Sequence, residues 1–459
     1  MIRIPHESGR PVAVLGLGKS GLTAAHALAA SGAEVWAWDD DAAKRTALAT
    51  TDLYACDWTR PSALVLSPGI PFRFPKPHPV AAKAEAAGCP VIGEVELLFR
   101  AQPRARYLGI TGTNGKSTTT ALIGHLLARA GRRIEVGANL GTPALALAPL
   151  EEEGTYVLEM SSYQPELVPS ARFDIGVLLN ITPDHLDRHG GMAGYAAAKA
   201  RIFQHQKKDD WAVIGIDDEP SRHIHDSLRG QHVATLAVDR AVPNAITVQD
   251  AILRDESGRE VMDLGRAAAL PGPHNWQNAA AAYATARALG IPESEIIAGI
   301  ETYPGLAHRQ ELIAERNGIR FVNDSKATNS DATAKALACY DPIYWILGGR
   351  PKETGLDGLE PYFPRIARAY LIGEAAADFE RRLQAHGVAT RQCGTLDRAV
   401  AAAVGDAAAE QRPGAVVLLS PAAASFDQFS GFEERGSRFR SLVESLAESP
   451  GSQKSRRAE

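Results

Sequence analysis

The residues with the strongest chemical signal form a short glycine-containing turn, Thr111-Gly112-Thr113-Asn114-Gly115-Lys116-Ser117-Thr118. An apolar run, residues 107–110, precedes the turn, and a helical pattern from Thr118 to Ala130 follows it, with Gly131 at the helix end. A strand, a glycine turn and a helix N-terminus in this order direct backbone N–H groups and a positive dipole end toward phosphates. Lys116 would then reach the β- and γ-phosphates of a nucleotide, and Ser117 would ligate Mg²⁺.

The turn differs from the common phosphate-binding loop at one position. Ile110 lies six residues before Lys116, where that pattern has glycine, and Gly112 supplies the flexible position instead. The alternative is an ordinary turn that carries a solvated lysine. Gly-Lys-Ser-Thr at a strand-to-helix junction favours phosphate binding over that alternative.

A second glycine-rich turn lies near the N-terminus. The apolar run Val12–Leu15 leads into the G-x-G-x-x-G pattern of residues 16–21, and an alanine-rich helical segment follows. The next strand, from Glu34, ends at Asp39, which is placed to accept a hydrogen bond from a ribose hydroxyl. Read alone, this motif favours NAD, and the alternative is a doubly wound domain whose glycines serve only packing. Ser67-Pro68-Gly69 follows a further strand at the edge of the sheet where such folds bind ligands.

Carboxylate and imidazole groups follow two later strands. Glu159 ends the apolar strand of residues 156–160, which is where a Mg²⁺ ligand belongs beside a phosphate-binding strand. The loop of residues 180–190 concentrates acids and histidines around His185, a candidate metal ligand or an ordinary surface group. Lys199 lies in a helical segment among small residues, and from the local sequence alone a solvated lysine is the favoured interpretation.

From His308 the pattern alternates strands with helices and predicts a further parallel-sheet α/β domain. We expect strands near residues 320–323, 343–347, 370–372 and 415–419. Polar groups follow these strands in three segments, Asn323-Asp324-Ser325-Lys326-Ala327-Thr328-Asn329, Gly348-Gly349-Arg350-Pro351-Lys352 and Ser425-Phe426-Asp427-Gln428-Phe429.

The composition limits the classes of function. A chain of 459 residues with 45% hydrophobic and 22% charged residues predicts two to four ordinary globular domains. The formal net charge of −5, without a basic block before the C-terminal end, gives no footprint for nucleic acid or an anionic membrane. No apolar run reaches membrane-spanning length. Four cysteines without metal-ligand spacing predict reduced thiols.

Taken together, these motifs resemble the Mur ligases of peptidoglycan synthesis, and within them the D-glutamate-adding branch. The resemblance runs from about Val12 to Phe439. Its most specific parts are the segments Thr111 to Thr118, Glu159-Met160-Ser161-Ser162-Tyr163-Gln164, Asp184-His185-Leu186-Asp187, Asn323 to Asn329 and Ser425 to Phe429. Arg350 departs from the acidic residue of some family members.

The resemblance implies an α/β protein with three domains. Residues 1–103 would form a Rossmann-like domain that binds a UDP-linked substrate, not NAD. Residues 104–306 would form the central P-loop domain that binds ATP. Residues 307–459 would form a Rossmann-like domain for the incoming amino acid, with a disordered tail from about residue 448.

The implied reaction is the ATP-dependent addition of D-glutamate to UDP-N-acetylmuramoyl-L-alanine through an acyl phosphate. The implied setting is a monomer in the cytoplasm, with neither nucleic acid nor membrane insertion. Another Mur ligase or a folylpolyglutamate synthase-like ligase is the nearest alternative. An NAD-dependent oxidoreductase fused to an ATPase and a catalytically silent nucleotide-binding protein are the alternatives from other classes.

The resemblance also assigns residues to each ligand. The UDP substrate would contact Gly16, Leu17, Gly18, Lys19, Ser20, Gly21, Asp39, Ser67, Pro68 and Gly69. ATP would contact Gly112, Thr113, Asn114, Gly115, Lys116, Ser117, Thr118, Asn278, Arg309 and Asp324. The phosphoryl and substrate region would contact Asn139 and His185. The D-glutamate end would be lined by Lys326, Thr328, Lys352, Ser425, Phe426 and Phe432. One Mg²⁺ would bind Ser117 and Glu159, and a second would bind His185 and a carbamate formed on Lys199.

Overall fold

The computed structural model describes residues 1–150, 152–351 and 355–446. Contacts between Cα atoms divide the chain into two units, one of residues 1–266 with 273–303, the other of residues 267–272 with those from Pro304 onward. Both units are α/β, so the predicted class is confirmed. The expected ligand Lys352 and the expected tail from about residue 448 lie outside the described residues.

The first unit begins with a four-stranded parallel sheet in the order β2-β1-β3-β4. Its strands are β1 (Pro11–Leu15), β2 (Glu34–Trp38), β3 (Leu64–Leu66) and β4 (Val91–Ile92). Its helices are α1 (Lys19–Ala30), α2 (Pro79–Ala86) and α3 (Glu94–Ala101). Pro79 is the first residue of α2. The missing N–H of proline is no loss in the first helical turn.

The glycine-rich turn between β1 and α1 depends on a close backbone approach. A Cβ atom on Gly21 would lie 1.7 Å from the carbonyl oxygen of Gly16. Only glycine therefore allows the first turn of α1 to approach the end of β1 this closely. The helix N-terminus consequently sits directly over the strand end, as the predicted dinucleotide-type motif requires.

The second sheet of this unit has the order β13-β12-β11-β10-β9-β8-β5-β7-β6. Its strands are β5 (Arg106–Thr111), β6 (Ile134–Ala138), β7 (Thr155–Glu159), β8 (Ile175–Leu178), β9 (Trp211–Gly215), β10 (His232–Val238), β11 (Ile246–Gln249), β12 (Ile252–Arg254) and β13 (Glu260–Asp263). Strands β5 to β11 run parallel, and β12 and β13 form an antiparallel hairpin that pairs with β11. The helices are α4 (Lys116–Arg129), α5 (Met192–Ala200), α6 (Glu219–Ser227), α7 (Pro273–Ala288) and α8 (Glu293–Glu301).

The position of β5 in this sheet decides where polar groups meet. β5 lies between β7 and β8, with Ile110 paired to Glu159 and Thr111 paired to Leu178. The parallel strands therefore deliver the glycine turn after β5, the carboxylate of Glu159 and the loop after β8 to one edge of the sheet. Ligands of open parallel sheets bind at this carboxyl edge.

The second unit contains a six-stranded sheet in the order β14-β15-β19-β16-β17-β18. Its strands are β14 (Glu311–Arg316), β15 (Ile319–Asn323), β16 (Ile343–Gly348), β17 (Ile366–Ile372), β18 (Thr390–Gly394) and β19 (Val416–Leu419). Its helices are α9 (Ser330–Leu337), α10 (Ala376–Ala385), α11 (Leu396–Glu410) and α12 (Phe432–Ser445).

The prediction of a purely parallel third sheet was wrong at its edge. β14 pairs antiparallel with β15 through Asn317-Gly318, and both turn residues have positive φ. Neither β14 nor β18 was predicted, because both are edge strands that contain few buried apolar residues. The Asn-Gly pair was the local hairpin signal for β14.

Among the described residues, no helix is both long enough and apolar enough to cross a membrane.

Candidate active site

A pocket of about 370 Å³ lies in the first unit, where the loop after β3 meets the carboxyl edge of the second sheet. It is lined by Pro68, Gly69, Lys116, Asn139, Ser161, Ser162, Tyr163, Asp184, His185, Tyr195 and Lys199. The fold thus brings together six residues of the predicted site: Pro68 and Gly69 after β3, Lys116 after β5, Asn139 after β6, His185 after β8 and Lys199 on α5.

Two lysines converge on one carbonyl of the glycine turn. Lys116, the first residue of α4, donates to the oxygens of Gly112 at 2.9 Å and Thr113 at 2.7 Å. Lys199, near the end of α5, donates to the same Gly112 oxygen at 2.8 Å. Two ammonium groups on one acceptor concentrate positive charge, which suits a site for anions.

Lys199 is almost completely buried, at 1% exposure. The local interpretation of a solvated lysine was therefore wrong. Burial, together with the positive charge of Lys116, lowers the pKa of Lys199 to about 7, while Asp184 opposes the change. An amine with this pKa is neutral in a substantial fraction of molecules near neutral pH.

The glycine turn is held in place by the loop after β8 and by helix α7. Backbone N–H groups of Thr113 and Asn114 donate to the backbone oxygen and the side-chain oxygen of Asn180, at 2.8 and 2.9 Å. Gly115 has φ 85°, and a Cβ there would lie 2.1 Å from Oδ1 of Asn278. The Asn278 side chain accepts from Thr119 at 3.2 Å. Asn278 therefore packs under the turn, and its contact with ATP stays a prediction.

The carboxylate at the end of β7 is buried and incompletely hydrogen-bonded. Glu159 is 3% exposed, and its Oε1 accepts from Nδ2 of Asn139 at 2.5 Å. Within the part of the chain that the structure describes, its Oε2 has no hydrogen-bond partner. A buried carboxylate oxygen without a donor is costly, and a bound cation would relieve that cost.

His185, unlike Glu159, is exposed to solvent and lies beside a carboxylate. Its side chain is 52% exposed and lies 3.4 Å from Asp184. In the described ranges, no three His, Cys, Asp or Glu side chains cluster so that they could hold a metal ion. A metal at this pocket would therefore need other oxygen donors, such as phosphate, water or a modified lysine.

Several pocket residues were not predicted. Ser162, Tyr163 and Tyr195 line the pocket, and the ring of His189 stacks on Tyr163 at an interplanar angle of 8°. Tyr195 lies four residues before Lys199 on one face of α5, which was the available signal. His189 gave no comparable signal, because its burial depends on the folded loop.

The expected UDP-substrate residues occupy the end of β1, the start of α1 and the loop after β3. Asp39 accepts from the backbone N–H of Leu17 at 2.6 Å, so it fixes the glycine-rich turn directly. The Ser67 hydroxyl donates to Gly16 at 2.9 Å. The remaining residues of this set are Gly18, Lys19, Ser20, Gly21, Pro68 and Gly69.

The loop after β3 and the turn after β1 also contact the second sheet. Arg188 donates to the carbonyl oxygen of Gly69 at 3.1 Å. Lys19 donates to the carbonyl oxygen of Gly141 in the loop that follows Asn139. These bonds join the expected UDP-substrate residues to the walls of the pocket.

In the second unit the polar segment after β15 meets the start of α12. The Nζ atom of Lys326 lies 3.7 Å from the ring centroid of Phe432, and the Ser325 hydroxyl donates to the Phe432 carbonyl at 2.8 Å. Ser425 is buried, whereas Phe426 is 63% exposed. Thr328 lies two residues beyond Lys326 in the same segment, and its N–H donates to the Lys326 carbonyl.

Asp324 lies deep in the second unit. Its carboxylate accepts from the Ser420 hydroxyl at 2.8 Å and from the Gln310 N–H at 3.2 Å. Burial raises the pKa of Asp324 to about 7, although the charge of Arg309 opposes the rise. The assignment of Asp324 and Arg309 to ATP stays a prediction.

Arg435 on α12 was not predicted. It is 1% exposed and donates to the Ser325 hydroxyl and carbonyl at 3.0 Å, and to the Ala423 carbonyl at 3.2 Å. Burial lowers the pKa of Arg435 to about 10. The unusual Arg350, by contrast, forms an exposed ion pair with Glu374 at 3.4 Å.

Two protein families and several named relatives match this chain. The family model of the Mur ligase middle domain matches residues 110–286, and that of the Mur ligase glutamate ligase domain matches residues 308–423. The chain is 52% identical to UDP-N-acetylmuramoylalanine–D-glutamate ligase of Rhodospirillum rubrum, over 97% of each chain. It is 51% identical to the enzyme of the same name from Paramagnetospirillum magneticum, over 97% of this chain and 99% of that one.

Solved structures share the fold at low sequence identity. MurC of Thermotoga maritima has a TM-score of 0.59 at 17% identity, over 95% of this chain and 99% of that one. MurF of the same organism, in complex with ADP, has a TM-score of 0.58 at 16% identity, over 97% and 98%. The family models and the half-identical relatives show that the chain is an ATP-dependent, ADP-forming Mur ligase of peptidoglycan synthesis. Within that class, the chain belongs to the UDP-N-acetylmuramoylalanine–D-glutamate ligase family.

Proposed function

We propose that the protein joins D-glutamate to UDP-N-acetylmuramoyl-L-alanine, with ATP as the second substrate and ADP and phosphate as products. The observation that carries this proposal is the convergence of Lys116 and Lys199 on Gly112 in a pocket that also contains Pro68 and Gly69. That pocket can hold the L-alanine carboxylate of a UDP-linked substrate beside the phosphates of ATP.

The first chemical step is transfer of the γ-phosphoryl group of ATP to that carboxylate. Both reactants are anions, so catalysis depends on charge neutralisation and alignment. Lys116 and the N–H groups of the turn hold the phosphates, and Gly112, Thr113, Asn114, Gly115, Ser117 and Thr118 complete this cradle. Lys116 now bonds to the loop's own carbonyls, so phosphate would replace those acceptors.

The chain's residues fit Mg²⁺ at the end of β7. The buried Oε2 of Glu159 lacks a hydrogen-bond donor among the described residues, and carboxylate oxygen is a preferred magnesium ligand. Ser117 would contribute its hydroxyl beside Glu159. When bound, Mg²⁺ neutralises the charge that develops on the transferring phosphoryl group. Asn139 orients Glu159 through its bond to Oε1.

Lys199 fits a carbamate because it is buried and its pKa is lowered to about 7. The neutral amine adds to CO₂ and releases one proton, which replaces a cation by an anion. Together with His185, that anion would supply ligands for a second Mg²⁺. An unmodified ammonium at Lys199 would repel such an ion. The two lysines would then carry opposite charges and attract each other.

Outside the pocket, the glycine turn of residues 16–21, Asp39 and Ser67 would hold the UDP part of the substrate. Asn278 would contact the adenine of ATP, Asp324 its ribose and Arg309 its phosphates. In the second unit, the D-glutamate end would be formed by Lys326, Thr328, Ser425, Phe426 and Phe432, with Lys352 as a further member.

We also propose the three domain boundaries given above, a monomeric state and a cytoplasmic location. Light scattering on the purified protein and cell fractionation test the last two.

One assay tests the reaction. ATP and UDP-N-acetylmuramoyl-L-alanine are incubated with D-glutamate, L-glutamate, L-lysine or meso-diaminopimelate, and ADP and amide product are measured. Of the four amino acids, we expect only D-glutamate to support turnover. Preference for another amino acid would favour a different Mur ligase, and full-rate ATP hydrolysis without the UDP-linked substrate would contradict a ligase.

A further inference from the structure

A buried serine–histidine pair forms part of the pocket wall, and the roles proposed above leave it without a task. Ser162 lines the pocket, and its Oγ lies 3.0 Å from Nε2 of His189. The His189 side chain is 1% exposed and lies behind that wall. Its ring stacks on Tyr163 and lies 5.3 Å from the ring of Tyr195, so its orientation is fixed by packing.

The imidazole of His189 is neutral at neutral pH. With Lys199 unmodified, burial lowers the pKa of His189 to about 4, and the positive charges of Lys199 and Arg188 contribute further. The largest cause, burial, does not depend on the state of Lys199. A neutral imidazole has one N–H donor and one acceptor nitrogen. The position of that single proton therefore decides what the Ser162 hydroxyl can do.

The surroundings of Nδ1 decide the position of the proton. Nδ1 of His189 lies 3.9 Å from Oε1 of Glu166, and in the described ranges it has no hydrogen-bond partner. Burial raises the pKa of Glu166, and nearby arginine charges, from Arg201 first, oppose that rise. A carboxylate oxygen attracts an N–H group and repels a nitrogen lone pair. The favoured tautomer thus has the proton on Nδ1, and Nε2 accepts from the Ser162 hydroxyl.

We propose that His189 is a positioning residue for the amide-forming step. Its Nε2 accepts a hydrogen bond from the Ser162 hydroxyl, which turns the lone pairs of Ser162 Oγ into the pocket. There these lone pairs accept a hydrogen bond from the attacking amine. The proposal rests on the proposed function, because it takes the acyl phosphate to lie in this pocket. A fixed acceptor for one amine N–H aligns the nitrogen lone pair with the acyl carbon.

The step balances without any further reactant. The amine nitrogen forms the new C–N bond, the bond from the acyl carbon to the phosphate oxygen breaks, and its electron pair leaves with phosphate. The amine proton goes to the departing phosphate. Ser162 contacts only the nucleophile in this scheme, so the earlier phosphoryl transfer does not need it. Loss of the pair should lower kcat and leave KM for ATP unchanged.

The experiment measures the two steps separately. The ADP burst is followed by rapid quench with ATP and UDP-N-acetylmuramoyl-L-alanine and without D-glutamate, and amide formation is followed at saturating D-glutamate. His189→Phe keeps an aromatic ring but lacks nitrogen, and Ser162→Ala removes one oxygen. We expect each variant to keep the burst rate within about twofold and to lose about tenfold in kcat. The double variant should lose no more than either single one, since both remove the same interaction.

Two further variants separate positioning from packing. His189→Gln places an amide near the position of Nε2, so it should recover part of the lost kcat while His189→Phe does not. His225 provides a matched control, because its Nε2 lies 3.0 Å from the hydroxyl of Thr235, away from the pocket lining. His225→Phe should leave both rates unchanged.

Several outcomes would overturn the proposal. Losses that multiply to about a hundredfold in the double variant would show that the two residues act independently. A slowed ADP burst would assign the hydroxyl to phosphoryl transfer instead. Because Ser162→Ala is a minimal change, it decides this point even if His189→Phe destabilises the fold. Absence of D-glutamate-dependent turnover in the unmodified protein would overturn the proposed function as well, which distinguishes the two failures.

Discussion

Lys199 in the first unit and Arg435 in the second are both buried basic side chains that donate to backbone carbonyls, and within the described ranges neither forms an ion pair. Each is 1% exposed, and burial lowers the pKa of both groups. Lys199 reaches a pKa of about 7 and Arg435 one of about 10. The lysine is therefore close to neutrality, and the arginine remains charged.

The difference shows how one physical effect serves two purposes. Desolvation disfavours the charged form of both side chains, but the guanidinium starts from a much higher pKa. A partly neutral amine can be modified by CO₂, which suits the site of phosphoryl transfer. A permanent cation with donors in a fixed plane can instead hold the segment around Ser325 and the loop at Ala423 together. We therefore expect Lys199 to be reactive and Arg435 to be structural.

The largest expected effect follows from changing Lys199. Lys199→Ala should lower turnover by about a thousandfold, comparable with the loss of a major electrostatic group from an active site. Acetate should restore part of the activity by supplying an oxygen anion in the vacated space. Lys199→Arg should be equally inactive and insensitive to acetate, because guanidinium keeps its charge and fills the space. Near-normal turnover of Lys199→Ala without added acid would end the carbamate hypothesis.

Arg435 should show the opposite behaviour, with stability more affected than chemistry. Arg435→Met keeps much of the stem but leaves the carbonyls of Ser325 and Ala423 without donors. We expect the free energy of unfolding to fall by about 3 kcal/mol, measured by the denaturation midpoint. Arg438→Met is the matched control on the same helix, because it removes only an exposed ion pair with Asp397. It should leave the denaturation midpoint close to that of the unmodified protein. Equal midpoints for the two variants would refute the structural role.

The sequence predicted the parts that depend on local pattern. The glycine turn with Lys116 and Ser117 was found because strand, turn and helix signals are adjacent in the chain. Glu159 was found because it ends an apolar strand. The membership of Lys199 in the site came only from the family resemblance, because its burial is created by distant segments.

The unpredicted residues depend on tertiary packing in the same way. Arg435 looks like any charged residue of an amphipathic helix until α12 packs against the segment at Ser325. His189 becomes buried only when its loop folds against Tyr163 and Tyr195. Asp39 was correctly placed at the strand end, but its bond to the Leu17 N–H depends on how the glycine-rich turn folds against that strand. Burial and shared acceptors are therefore what a single sequence fails to reveal.

The pH dependence of stability tests the neutral state of Lys199. The pKa of Lys199 is about 7 in the folded protein and 10.5 for an ordinary lysine. Between these two pH values the unfolded chain therefore binds more protons than the folded protein. The free energy of unfolding should therefore rise as the pH increases above about 7. Below that pH the amine is charged in both states, and the whole cost of burying the charge lowers the stability of the fold. Relative to Lys199→Met, the rise from pH 7 to 8.5 should be at most about 2 kcal/mol. CO₂-free buffers keep the amine unmodified, and parallel curves for the two proteins would contradict the lowered pKa.

The smallest expected effect concerns Lys326, a third cation that differs from both. Lys326 is half-buried, and its ammonium lies over the ring of Phe432, whose face attracts a cation. It should therefore act as a fixed positive charge for a carboxylate of D-glutamate. Lys326→Ala and Thr328→Ala should each raise KM for glutamate by about tenfold while KM for ATP changes little, because both lie in the segment assigned to the amino acid. Initial rates with one substrate varied at a time measure this split. If both KM values rose equally, these residues would belong to the nucleotide.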